Sequence, residues 1–206
     1  MSSQRPRYYS LFATVVALSL ALFILPFNQG QAHLSPDETA VSVSAQVFLT
    51  QGSFRLKEVH PFLAYFPWLH PRSFVSLADT GGLATSLVPV GFLGMPLIAA
   101  AMDSLIPTAS IYFTPLLVIS AIFPLWSFAR RWGFGAQVAA ILVWLTFPTV
   151  ILYSNRGLFP NLPVVCLALW AAWCASKHKS GFPQGLIAAG LLSGLVLAIR
   201  PPEVFW

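Results

Sequence analysis

Apolar runs close to membrane length recur along this chain, at residues 8–27, 83–102, 108–129, 136–154, 162–176 and 185–199. A helix needs about 20 apolar residues to cross the hydrocarbon of a bilayer. Lipid offers the backbone no hydrogen-bonding partner, so runs of this kind favour helices, which satisfy their own N–H and C=O groups. Charge agrees: 57% of residues are apolar and 8% are charged, against about 25% charged in a soluble domain. The expected fold is an all-α integral membrane protein, a multi-span helical bundle.

The formal net charge of +5 does not point to nucleic acid. The basic residues are few, lie scattered between apolar runs, and form no stripe interleaved with aromatics. They read as topology signals, because short loops rich in Lys and Arg stay in the cytoplasm. Cys166 and Cys174 fall in one apolar run and read as packing residues. The sequence has no CxxC, HExxH, Walker loop or GxGxxG.

Arg130-Arg131 and Lys177/Lys179 are the densest basic separators, so both are expected in the cytoplasm, as is the amino terminus with Arg5 and Arg7. The run 8–27 reads as a retained anchor rather than a cleaved signal, whose apolar core is about 7–15 residues. From the amino terminus to Arg130 the chain must then cross an even number of times, and there are three candidate runs. The one expected not to span is 83–102, which carries Pro89, Gly91, Gly94 and Pro96 and is closed by Asp103. It reads as a re-entrant or interfacial helical segment. Five spans result, at about 8–27, 108–129, 136–154, 162–176 and 185–199, in one domain of the plasma (inner) membrane. Segment 28–107, loop 155–161 and the end at Arg200-Pro201-Pro202-Glu203 face outward. The apolar stretch closing at Trp206 reads as the edge of a longer chain.

The outer segment holds the only adjacent carboxylates, Asp37 and Glu38. Ser35-Pro36-Asp37-Glu38 forms a capping box, with Ser at the N-cap, Pro at the first helical position and Glu at the third. Acids in a first turn also suit the helix dipole. The next residues fit a strand by alternation at Val41, Val43, Ala45 and Val47, or one helical face at Val41, Ala45, Phe48 and Leu49. The cap favours a helix that ends near Gly52.

A first apolar run, then Asp-Glu, then ETAVSVSAQVFLTQGSF resembles the start of the GT-C membrane glycosyltransferases. The closest look is to those that use polyprenyl-phosphate sugars, such as the protein O-mannosyltransferases and the aminoarabinose transferases. LVPVGFLGMPLIAAAMDSLIP resembles their Pro-rich juxtamembrane segment. FARRWGFGAQVAAILVWLTFPTVILYSNRGLFPNLPVV resembles their Arg-ended span, Ala-rich span and Tyr-Ser loop. GLLSGLVLAIRPPEVFW resembles their span ending in Arg-Pro. The matches are degenerate, and their order along nearly the whole chain carries the resemblance. Two features depart from it. Asn155 and Asn161 stand where many relatives have a further acid, and relatives are usually longer.

The resemblance implies sugar transfer from a polyprenyl-phosphate donor to a lipid, glycan or protein at the outer face. Asp37 would be the base or would orient the acceptor, and Glu38 would hold the cap or position Asp37. Arg55 and Lys57 would bind the donor phosphate, or else sit solvated or against lipid headgroups. Arg200 would bind phosphate or snorkel from its span end. Arg156, in the short outer loop, would meet donor or acceptor or act as an interfacial anchor. The spacing of His33, His60 and His70 fits no metal pattern, so no cofactor is expected, with a divalent metal the minority alternative. Phe62, Tyr65, Phe66 and Trp68 read as an interfacial belt. Besides the donor, membrane lipid is the expected partner. The rival readings are a non-catalytic or degenerate multi-span protein and a transporter-like subunit. The latter is disfavoured by the scarcity of ionisable residues within the runs.

Overall fold

The computed structural model describes residues 36–56, 74–78, 84–89, 93–154, 156–177 and 184–200. The expected span 8–27, Ser35, Lys57, Lys179 and the outer-loop histidines lie outside them. The described chain is mostly helical, with helices α1 (Pro36–Gln51), α2 (Gly94–Leu105), α3 (Phe113–Ser120), α4 (Ile122–Ala129), α5 (Phe134–Thr146), α6 (Pro148–Ser154), α7 (Asn161–Lys177) and α8 (Gln184–Ile199). Two strands, β1 (Phe74–Ala78) and β2 (Ala84–Pro89), pair antiparallel, with Phe74 opposite Pro89 and an irregularity between Leu77 and Ala78.

The hairpin corrects two expectations: the outer segment is not helical throughout, although the described chain is mostly helical, and 83–102 is not one helical segment. It is strand β2 followed by helix α2. The Pro and Gly residues that weaken a helix across this run instead punctuate it. Pro89 ends the strand, where a missing donor is tolerated. Pro96 falls in the first turn of α2, where its N–H has no intrahelical acceptor to miss.

Within 136–154, expected as a span, the helix is broken. Phe147 is extended (φ −65°, ψ 125°), and α5 and α6 are bent by 55° across it. Pro148 causes this, because its ring pushes the preceding residue out of the helical region. By contrast, the run expected at 108–129 forms the continuous helix Ala109–Trp132, 24 residues long and apolar enough to cross a membrane. The helices over the last two expected spans are apolar but have 17 and 16 residues.

The chain divides into two compact units, one holding residues 114–156 and 161–193, the other 33–113, 157–160 and 194–206. In the first unit Val118, Ile119, Ala121, Val150, Leu162 and Cys166 form the core. Indole N–H groups tie its helices together. Trp170 donates to the Ser120 hydroxyl at 2.9 Å and Trp173 to the Ser127 hydroxyl at 3.0 Å. Phe123 stacks on Trp170, with ring centroids 5.6 Å apart. Contacts that run 120 to 170 and 127 to 173 mean that the α3–α4 helix and α7 are parallel. Contacts of the opposite order, Trp144 Nε1 to the Val118 carbonyl and Gln137 Nε2 to the Trp126 carbonyl, make α5 antiparallel to them. Arg130-Arg131 and Lys177 therefore lie at one end of this unit, and Arg156 at the other.

In the second unit α1 packs on α2, and Ala40, Phe74 and Leu87 form a core flanked by Val43 and Leu56. The turn between α2 and the long helix is clamped by Asp103. Its two carboxylate oxygens accept from the Ser110 backbone N–H at 2.8 Å and the Ser110 hydroxyl at 2.9 Å. The clamp holds Thr108 at φ 65°, a left-handed conformation that disfavours any residue with a Cβ. Asp103→Ala is expected to cost about 1.5–3 kcal/mol, read as lost unfolding free energy of the purified chain in detergent. Adding Thr108→Gly should recover part of that loss by relieving the backbone.

Candidate functional site

The acidic pair opens α1. Pro36 is the first helical residue, and Asp37 and Glu38 occupy the first turn. The helix stops where expected. Gly52 adopts φ 65°, and its N–H donates to the Phe48 carbonyl at 2.9 Å, closing the last turn on a residue without a Cβ. The two carboxylates are unequal. Glu38 is 3% exposed and Asp37 is half-buried, and neither is without an interacting neighbour. A charge as buried as Glu38 persists only when paired or hydrogen-bonded, so Glu38 reads as a holding residue and Asp37 as the accessible one.

The hairpin fixes the base of this helix. Ala40 and Val43, one and two turns beyond the acids, pack with Phe74 of β1 and Leu87 of β2. After Gly52 the chain doubles back, and Phe54 stacks on Phe48 with centroids 4.6 Å apart. Leu56 and Leu87 then exchange backbone hydrogen bonds, both 2.9 Å, so the segment after α1 lies beside β2. Arg55 stands exposed next to that bridge.

Arg200 follows α8. Its backbone N–H donates to the Val196 carbonyl at 2.9 Å, and its side chain is half-buried and engaged. The end of α8 meets the start of α2 with no room to spare. A Cβ on Gly94 would lie 2.6 Å from the Ala198 carbonyl carbon and oxygen. The α2 helix therefore contacts both the acid-bearing helix and the segment that carries Arg200.

One unit thus holds Asp37, Glu38, Arg55 and Arg200. Arg156 belongs to the other unit, its guanidinium 5.7 Å from the Tyr153 ring centroid, within the range of a cation–π contact. Lys57 lies outside the described residues. Among the described residues no group of three His, Cys, Asp or Glu is placed to hold a metal ion.

Sequence reasoning missed Ser44. It is buried, and its hydroxyl has no hydrogen-bond partner among the described residues. It lies seven residues after Asp37, two turns along nearly the same line of the helix, and that spacing was the signal available. In chemical terms the unit offers one accessible carboxylate backed by a buried one, with two guanidinium groups on separate elements. Comparison with protein families, with curated proteins and with solved structures finds no match for the chain.

Proposed function

We propose that this chain is a multi-span membrane glycosyltransferase that moves a sugar from a polyprenyl-phosphate donor to an acceptor hydroxyl on the extracytoplasmic face. The observation that carries the reading is the setting of the acidic pair. Asp37 is half-buried at the first turn of a helix wedged between a hairpin and α2, and Glu38 is 3% exposed beside it. A base must be accessible and held still, and this arrangement supplies both conditions. In the reaction the acceptor oxygen attacks the anomeric carbon as its proton passes to Asp37. The bond from that carbon to the phosphate oxygen breaks, and polyprenyl phosphate leaves with the electron pair. Arg55 and Arg200 would meet the phosphate charge by forked hydrogen bonds.

Topology supports the face assigned. The parallel run of the long helix and α7 gives Arg130-Arg131 and Lys177 a common end, as a cytoplasmic location of both requires. A single cysteine at position 37 is expected to react with a membrane-impermeant maleimide in intact cells, and one at position 131 only after permeabilisation. The function itself is tested with membranes that carry the full chain, supplied with a radiolabelled polyprenyl-phosphate sugar. Transfer above that of control membranes is expected. Its absence with a correctly inserted chain would leave a non-catalytic multi-span protein as the reading.

A further inference from the structure

Between Asp103 and Glu203 the sequence contains no acidic residue, yet it carries Arg130, Arg131, Arg156, Lys177, Lys179 and Arg200. Three of these cations come from two separate segments and share one end of the first unit, because the helices that carry them run parallel. No carboxylate of this unit's chain segments stands against them. The two helix C-termini at that end contribute about half a negative charge each and the start of α5 about half a positive one, which leaves the cluster more than two units positive. Its counter-ion must come from outside the unit.

Aromatic rings frame the cations. The Arg131 guanidinium lies 3.7 Å from the Trp132 ring centroid, and Lys177 Nζ lies 5.1 Å from that of Trp173. Trp132 is 64% exposed, and Phe134 beside it is exposed as well. A free phosphate would answer the charge and leave these rings uncovered. A ligand with both a phosphate and an apolar tail answers both.

We propose that the end of this unit formed by Arg130, Arg131, Trp132 and Lys177 is a binding site for the headgroup of an anionic phospholipid. Its phosphate is gripped by the guanidinium forks, and its upper acyl chain lies against Trp132 and Phe134. The proposal rests on the membrane-embedded part of the reading above and not on the transferase chemistry. A basic residue near an anionic surface is worth about fivefold in binding.

The test is native mass spectrometry of the detergent-purified full chain, titrated with dioleoyl phosphatidylglycerol or with phosphatidylcholine of the same acyl chains. Phosphatidylglycerol is expected to be retained in preference, with millimolar glycerol phosphate failing to displace it. R131Q and K177Q should each weaken it about fivefold, and R130Q/R131Q/K177Q on the order of a hundredfold. R130K/R131K, which keeps the charge but not the forks, should keep part of the preference that the triple variant loses and so separate a lost site from a lost fold. Equal retention of the two lipids by the unaltered chain overturns the site, as does a triple variant that binds phosphatidylglycerol undiminished. A chain that does not sediment with membranes overturns the membrane reading as well, so the two failures are distinct.

Discussion

Asp37→Asn is expected to lower sugar transfer by on the order of 10²–10⁴-fold, the usual contribution of a positioned general base, in a chain that still folds and inserts. Asparagine matches the shape of aspartate and keeps an acceptor oxygen for its neighbours, and the first turn of α1 loses the favourable placing of a negative charge at a helix start. That is worth about 0.3–1 kcal/mol, too little to unfold the unit. Glu38→Gln should behave in the opposite way. Glu38 is 3% exposed, and weakening its buried interactions should lower stability by about 1–3 kcal/mol while leaving most of the turnover of the folded fraction. Transfer is measured on membranes matched for inserted chain, and stability by thermal unfolding in detergent. A D37N chain that turns over at the unaltered rate would remove Asp37 from the mechanism.

Gly94→Ala should be among the most disruptive small substitutions in the second unit. The added methyl would meet the Ala198 carbonyl carbon and oxygen at 2.6 Å and the Ile199 nitrogen at 2.8 Å. These are backbone atoms of a helix end and cannot swing aside as a side chain does, so α2 and α8 must part. Overpacking of this kind costs about 1–3 kcal/mol and sometimes more. Here it also loosens Met95, Ala99 and Ala100, all buried on α2. Gly157→Ala should act likewise, because its Cβ would strike the Ile111 carbonyl oxygen. Gly135 and Gly190 are the internal controls. Nothing lies within 4 Å of a Cβ at either, and alanine there should be neutral or stabilise by up to about 1 kcal/mol through its helix preference. Thermal unfolding of the four purified variants ranks them, and equal midpoints for G94A and G135A would contradict the close approach of the two helices.

The parts of the fold that were legible in the sequence are those set by neighbouring residues. Pro36 and Gly52 bracket α1 because one is preorganised for a first helical turn and the other for a left-handed stop. The unbroken apolar run leading to Arg130 is a helix because its own hydrogen bonds suffice. The hairpin was hidden, since its pairing joins 74–78 to 84–89, and an apolar run has no period that separates strand from helix. The break at Phe147 was written in the letter at 148 and was masked by a composition that suits a span on both sides. Within the site, the existence of the acidic pair was plain, but the ranking of its members was not. Glu38 is buried by packing around α1 that no local pattern records. Ser44 was overlooked because a serine in a helix carries no signal until its surroundings are known.

On the multi-span reading proposed above, the lengths of the described helices would have a consequence for the bilayer itself. At about 1.5 Å per residue, α7 with 17 residues and α8 with 16 measure about 24–26 Å, less than the ~30 Å of a typical hydrocarbon slab. The pair α5–α6 gains little more, because its second segment leans 55° away from the first. If they span, the bilayer would thin around them or flanking residues would snorkel, at a fraction of a kcal/mol for each ångström of mismatch. On that reading the leaflets would be drawn together there, and a polyprenyl carrier diffusing past would meet its shallowest water boundary beside this protein.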